Sequence, residues 1–311
     1  MRAFVLDDFG AEPRVRDRPE PEPGEGELVV RVNASSVNPI DNAIAGGLLR
    51  QMADYEFPVI LGRDFAGVVD QVGGGVDFSE GEEVFGKVLP AAATIHNGAW
   101  ADLIRVPAES NVAKKPSGVD FATAGATGLA GMTALAAVNA VALQDGEPVL
   151  IVGATGGLGT FAVQLAKHAG AHVIAPGFPE DEGYLVDLGA DHVIRRDDDV
   201  TAAARELESG GVAALLDFVS HTPEELDGYA AALAEGGRVA SALNAAGDGP
   251  GRYNVGPTGE RAELEQLARL LDNGKLRVPI QRSYPLEEAG AALTDLPGTH
   301  TQGKLGVTVA S

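Results

Sequence analysis

Apolar positions recur in two different rhythms along this chain. Up to about Ser117 they come in short runs broken by glycine and proline. The runs at 3–6, 28–33, 59–61, 66–72, 84–88 and 101–106 predict β-strands. Gly73-Gly74-Gly75 and Glu80-Gly81-Glu82 predict turns between them. Residues 12–27 carry Pro13, Pro19, Pro21 and Pro23. Proline fixes φ and lacks an N–H, so this stretch excludes a helix and predicts an extended surface connection.

Beyond Ser117 the rhythm changes to alternating strands and helices. Residues 149–152 form a β-branched apolar run. Residues 157–169 follow with Leu158, Phe161, Ala162, Leu165, Ala166 and Ala169 at helical spacing. Strands are predicted at 171–175, 192–194, 214–219 and 238–243, and helices at 184–188, 202–207 and 223–233. Such alternation predicts a parallel sheet covered by helices on both faces. An amphipathic helix at 261–273 stops at Asn273-Gly274, and the tail from 276 returns to strands around a short helix at 286–293. The expected fold class is therefore α/β. One domain is built from both chain ends (1–118 and 274–311), and a doubly wound parallel-sheet domain lies between them (119–273).

Residues 121–144 contain no charge, which is long enough to span a bilayer. Their content is mostly Ala, Gly and Thr, with Asn139 inside, so their drive into lipid is poor. One or two closely packed buried helices are expected instead. The 311 residues are 45% hydrophobic, enough for a substantial core. The net charge of −22 repels phosphate backbones and anionic lipids, so neither nucleic acid nor membrane is an expected partner. Cysteine is absent, which excludes a disulfide framework, a thiolate nucleophile, a cysteine zinc site and an iron–sulfur cluster. No apolar leader segment is visible at the start, and a cytoplasmic location is expected.

The most informative motif is Gly153-Ala154-Thr155-Gly156-Gly157-Leu158-Gly159. It follows an apolar strand and opens an amphipathic helix, the order required for binding a dinucleotide pyrophosphate. Glycine permits the tight turn and the close backbone approach, and the helix start favours the phosphate charge. NAD-selective sites place an acid at the end of the second strand, about 20 residues on. Here that strand ends Ile174-Ala175-Pro176-Gly177, which favours NADP(H). Glu180, Asp181 and Glu182 would repel a 2′-phosphate if they faced it. Arg195 and Arg196 offer a cation, and equally read as a surface pair offsetting Asp197-Asp198-Asp199. That acidic triplet reads as a solvated turn.

Several markers together carry a family resemblance. They are Ser35-Ser36-Val37-Asn38-Pro39-Ile40-Asp41, Leu61-Gly62-Arg63-Asp64-Phe65-Ala66-Gly67-Val68-Val69, Gly98-Ala99-Trp100-Ala101-Asp102 before Val106-Pro107-Ala108, Leu129-Ala130-Gly131-Met132-Thr133-Ala134, and Gly303-Lys304-Leu305. The chain resembles the zinc-free, zeta-crystallin-like quinone oxidoreductases of the medium-chain dehydrogenase/reductase superfamily, over nearly its whole length. The resemblance implies a GroES-like β domain and a Rossmann domain. Zinc-dependent relatives have a cysteine where this chain has Asn38 and a histidine where it has Arg63. The six histidines offer no replacement; His168 and His172 are split by Gly170.

The resemblance also implies roles. Asn38 and Thr133 would lie near the nicotinamide, and residues 154–158 would cradle the pyrophosphate. Phe218 and Val219, with Leu243 and Asn244, would line the cofactor site. Asn42 stands where the family often has an aromatic residue, and Asn42 and Tyr55 are the candidate substrate contacts. Blander roles also fit: a turn asparagine for Asn38, helix packing for Thr133 and a loop tyrosine for Tyr55. A homodimer is implied, by edge pairing of the two Rossmann sheets near residues 253–255. The expected activity is NADPH-dependent hydride transfer to a quinone or enone, held by positioning alone. An enoyl-thioester reductase and a non-catalytic cofactor-binding protein remain alternatives.

Overall fold

In the computed structural model, described for all residues except 52, 89–93, 110, 258 and 311, the β-rich start opens with β1 (Arg2–Leu6), β2 (Arg14–Asp17) and β3 (Glu27–Ser36). Then come α1 (Pro39–Ala45), β4 (Asp54–Tyr55), β5 (Val59–Ile60), β6 (Asp64–Val72) and β7 (Glu83–Lys87). β8 (Thr94–Ile95), β9 (Leu103–Pro107) and β10 (Val112–Lys114) precede two helices, α2 (Phe121–Gly125) and α3 (Gly128–Val141). The uncharged segment is thus two helices, α3 buried over most of its length and α2 buried only at Ala124 and Gly125. Among the described residues, no helix is long and apolar enough to cross a membrane.

The middle of the chain alternates as its hydrophobic pattern requires. It runs β11 (Pro148–Val152), α4 (Gly157–His168), β12 (His172–Gly177), α5 (Glu182–Leu188), β13 (His192–Arg195), α6 (Val200–Leu207), β14 (Val212–Asp217), α7 (Pro223–Ala230), β15 (Leu233–Ser241) and β16 (Arg252–Asn254). The tail holds α8 (Arg261–Asp272), β17 (Ile280–Pro285), α9 (Ala289–Gly298) and β18 (Lys304–Thr308).

These elements make two compact units. One contains residues 1–129, 259–274 and 278–311; the other contains 130–258 and 275–277. The expected boundaries differ from these in grouping α8 and residues 119–129, which include α2, with the middle segment, and residues 275–277 with the first. In the first unit β10, β7, β6, β3, β18 and β17 lie side by side, and β9 also pairs with β3. The C-terminal strand β18 runs antiparallel to β3, with Gly306 opposite Ser36 and Val307 opposite Ser35. Chain start and chain end therefore share one sheet, over a core that includes Phe4, Leu28, Phe65, Trp100 and Tyr284. In the second unit the order is β13-β12-β11-β14-β15-β16, parallel throughout, a Rossmann sheet. Strand β11 is buried from Val149 to Val152, as a central parallel strand covered on both faces must be.

Local chemistry sets the element ends. The Asp199 carboxylate caps Ala202 N–H at the start of α6, and the Thr222 hydroxyl caps Glu225 N–H at the start of α7. Gly189, with φ +110, ends α5 in the left-handed conformation. Two elements depart from the sequence expectation. The proline-rich connection contains β2, which among the described residues is an edge strand paired with β1, because Arg14–Asp17 lies between prolines rather than on one. Helix α1 was not foreseen. Its start is Asn38-Pro39-x-Asp41, in which Asp41 Oδ2 accepts the Asn38 N–H at 2.8 Å.

Candidate functional site

The glycine loop joins the central strand β11 to α4, beside the point where strand order reverses. Each glycine meets a different demand. Gly153 turns the chain at φ +84, which L side chains rarely adopt. A Cβ on Gly159 would stand 2.2 Å from Gly153 O and 2.5 Å from Ala154 Cα, so α4 packs on the loop only without one. A Cβ on Gly156 would meet nothing nearer than 3.6 Å. Gly156 is also the N-cap of α4, and no side chain caps that helix. The loop thus leaves a helix start free of capping side chains, with open space before it, which fits a pyrophosphate.

The other expected cofactor residues follow the C-terminal ends of the same parallel strands. Phe218 and Val219 follow β14, and Leu243 and Asn244 follow β15; Asn244 is exposed at φ +61. At these ends an open cavity of about 530 Å³ is lined by Arg196, Val219, Ser220 and His221 with residues of α6 and α7. Asp198, Asp199 and Glu225 also line it. Two of these acids are committed to backbone: Asp199 caps α6, and Glu225 accepts the His221 N–H at 2.7 Å.

The two arginines behave differently. Arg195 lies 3.8 Å from both Asp197 and Asp198. Arg196 makes no ion pair among the described residues; its guanidinium stacks 4.5 Å above the Phe178 ring at the cavity edge. Of the suspected repulsive acids, Asp181 is buried and accepts the Phe178 N–H, while Glu180 and Glu182 are exposed. Asp217, at the end of β14, is held by the Ser220 N–H and hydroxyl, and burial raises its pKa.

The first unit holds a buried polar network. Asn38 is 3% exposed. Its Nδ2 donates to Asp64 Oδ2 at 2.8 Å, and its Oδ1 accepts from Lys304 Nζ at 2.6 Å. Asp64 also accepts from the Ser36 hydroxyl and from Leu129 N–H, both at 2.5 Å. Nearby, Asp41 Oδ1 and Arg63 Nε are 3.9 Å apart, and neither atom has a hydrogen-bond partner among the described residues. Burial pushes the Asp41 carboxyl up to about 7, with Arg63 opposing. The sequence reading gave no role to Asp41, Asp64 or Lys304. Their signal was a charged residue embedded in an apolar run, which burial requires to be paired.

The remaining candidates are engaged within their own units. Thr133 is buried in α3 and belongs to the second unit. Asn42 Nδ2 donates to Leu293 O at 2.9 Å, tying α1 to α9. Tyr55 packs with Phe9 and Phe57, and its hydroxyl donates to Ile44 O at 3.4 Å.

Comparison with known proteins places the chain in a family. Residues 24–117 match the alcohol dehydrogenase GroES-like domain, and residues 188–305 match the zinc-binding dehydrogenase family. The chloroplast envelope quinone oxidoreductase homolog of Arabidopsis thaliana is 30% identical, with 92% of this chain and 91% of that protein covered. The chain belongs to the medium-chain dehydrogenase/reductase superfamily. It is similar to the quinone oxidoreductase-like members of that superfamily. The NADPH-dependent alkenal/one oxidoreductase of Arabidopsis thaliana is also 30% identical, covering 98% of this chain and 78% of that protein. The quinone oxidoreductase structure from Coxiella burnetii superposes with a TM-score of 0.87 at 29% identity, covering 100% of this chain and 99% of that one. This medium-chain dehydrogenase/reductase is thus an oxidoreductase of a family that binds NAD(P)H, with a GroES-like and a Rossmann unit. Among the described residues, no group of three or more His, Asp or Glu side chains converges as a metal site.

Proposed function

We propose that this chain is a zinc-independent, NADPH-dependent reductase that transfers hydride to a quinone or an α,β-unsaturated carbonyl. The carrying observation is the donor chemistry at Asn38 and Arg63. A guanidinium has no lone pair for a metal, and the Asn38 amide oxygen is taken by the Lys304 ammonium. These positions do not suit the zinc of the zinc-dependent relatives. An acceptor that is already electron-poor needs no Lewis acid, only placement and a donor to its oxygen.

When bound, the dinucleotide supplies the hydride. The chain's residues do the rest. The 153–159 loop and the start of α4 bind the pyrophosphate, and the cavity beside Val219 and His221 takes the adenosine. Arg196 meets the 2′-phosphate, backed by Phe178, and Phe218, Leu243 and Asn244 complete the cofactor wall. Asn38 and Thr133 are assigned to the reacting end, and solvent protonates the product. Two chains pair through the exposed edge strand β16, and the cysteine-free composition suits a reducing cytoplasm.

The test is NADPH oxidation over a panel of quinones, enones and enoyl thioesters, alongside fluorescence titration of NADPH and NADH. Turnover of quinones or enones with tighter NADPH binding is expected. Preference for enoyl thioesters would move the assignment to a biosynthetic enoyl reductase. Cofactor binding without any turnover would make the chain a non-catalytic binding protein.

A further inference from the structure

Lys304 is a buried lysine outside the groups assigned to the reaction. It comes from the last strand, is 3% exposed, and lies in the first unit with Asn38 and Asp64. Its ammonium donates to Asn38 Oδ1 at 2.6 Å and to Val37 O at 3.2 Å, and stands 3.6 Å from Asp64 Oδ2. Three protons face three acceptors, so none is left to give to a substrate. A buried lysine in this setting holds something else in place.

We propose that Lys304 is a positioning residue for the Asn38 amide, fixing and polarising it so that its spare N–H stabilises the oxyanion formed during hydride transfer. This rests on the reductase reading above.

The amide has one orientation. Turning it over would set its NH2 against the Lys304 ammonium and its oxygen against the Asp64 carboxylate, two repulsive contacts replacing two charge-assisted bonds. Asp64 is itself fixed by Ser36 and by Leu129 N–H. One amide N–H is therefore spent on Asp64, and the other has no partner among the described residues. A cation on the amide oxygen draws electron density from the nitrogen. In a low-dielectric interior, linked hydrogen bonds strengthen one another in this way. The spare N–H becomes the better donor.

The chemistry balances. Bound NADPH would supply the hydride: its C4–H bond would break with the electron pair, leaving NADP+, and a C–H bond would form at the β-carbon of an enone or at a quinone ring carbon. The displaced π pair would move onto the carbonyl oxygen, giving an enolate, which from a quinone tautomerises to the hydroquinone anion by shift of the ring C–H proton to oxygen. Water later supplies the proton. Asn38 meets the anionic oxygen, and Lys304 meets only Asn38. Burial lowers the Lys304 pKa, and Asp64 and Asp41 oppose that shift.

The test compares Lys304→Met, Lys304→Arg and wild type on acceptors of graded electrophilicity. In Lys304→Met, kcat falls about 10- to 100-fold on weak enones, less than the 10²- to 10³-fold expected for loss of a direct oxyanion donor. The loss shrinks on strongly electron-poor quinones, while KM and NADPH affinity hold. Lys304→Arg recovers most of kcat. Independently of turnover, the Asn38 side-chain amide resonances of the cofactor-free protein move in Lys304→Met and return toward wild type in Lys304→Arg. An active wild type with an equally active Lys304→Met overturns the role. So does an equal loss on every acceptor with weakened NADPH binding, which marks a folding defect. A wild type inactive on every acceptor overturns the reductase reading itself, and this role with it.

Discussion

Two alanines in one loop should fail in opposite ways. In Gly159→Ala the new Cβ would sit 2.2 Å from Gly153 O and 2.5 Å from Ala154 Cα. Both are backbone atoms, so no side chain can swing aside, and loop and helix must part by about 1 Å to restore ordinary contact. Overpacking of this kind costs about 1–3 kcal/mol. A displacement of about 1 Å at a positioning element costs on the order of 10²-fold in function. Gly159→Ala should therefore lose thermal stability without cofactor and bind NADPH far more weakly. In Gly156→Ala the nearest atom is 3.6 Å away, and φ is −70, which alanine adopts freely. Its cofactor-free stability should fall by no more than about 1 kcal/mol, the amount by which alanine is a poorer N-cap than glycine. Its NADPH affinity should still fall, because the methyl enters the space assigned to the pyrophosphate. Thermal melts without cofactor and fluorescence titrations with NADPH read the two effects separately. Normal NADPH binding by Gly156→Ala would refute the assigned cradle. Unchanged stability of Gly159→Ala would refute the packing argument.

Other consequences are equally direct. Arg196→Ala should weaken NADPH by about 10- to 100-fold, the value of a charge-assisted bond, and leave NADH nearly unchanged; equal effects in titration would make Arg196 a surface charge only. Burial raises the Asp41 carboxyl to about 7. The folded chain then holds a proton that the unfolded chain releases near 4, so this group's stability contribution falls as pH rises from about 4 to about 7. The stability difference between wild type and Asp41→Asn should accordingly shift against wild type between pH 5 and 8 in denaturant titrations, and a pH-independent difference would contradict it. Pairing through β16 predicts a light-scattering mass near twice 31.9 kDa, and a mass near 31.9 kDa would exclude the dimer.

The two rhythms of apolar residues made the architecture legible, because a parallel sheet demands continuous apolar strands such as 149–152, and helices between them demand the 3.6-residue period. The glycine loop was legible for a related reason: Gly153 and Gly159 answer local steric demands that any strand-to-helix turn of this kind imposes. Short elements were harder. Helix α1 carries only the Asn38-Pro39-x-Asp41 start, and β2 hides among prolines. The polar network was legible only in part. Asn38 and Arg63 stood out through the family comparison, whereas Lys304 lies 266 residues away in sequence from the amide it holds. Only the pairing of β18 with β3 brings the chain end to that amide, and no local pattern records it. The arginine pair showed a similar limit, since sequence cannot say that Arg195 turns to its acidic neighbours while Arg196 stacks on Phe178.

The central claim is hydride transfer from NADPH to an activated carbonyl acceptor. NADPH carrying deuterium on one face of nicotinamide C4, incubated with the enzyme and an enone, tests it most directly by mass spectrometry of the product. The account predicts that one of the two C4-labelled forms delivers deuterium to the β-carbon, with the α-carbon taking its proton from water. Loss of NADPH with no label in the product from either form would contradict it.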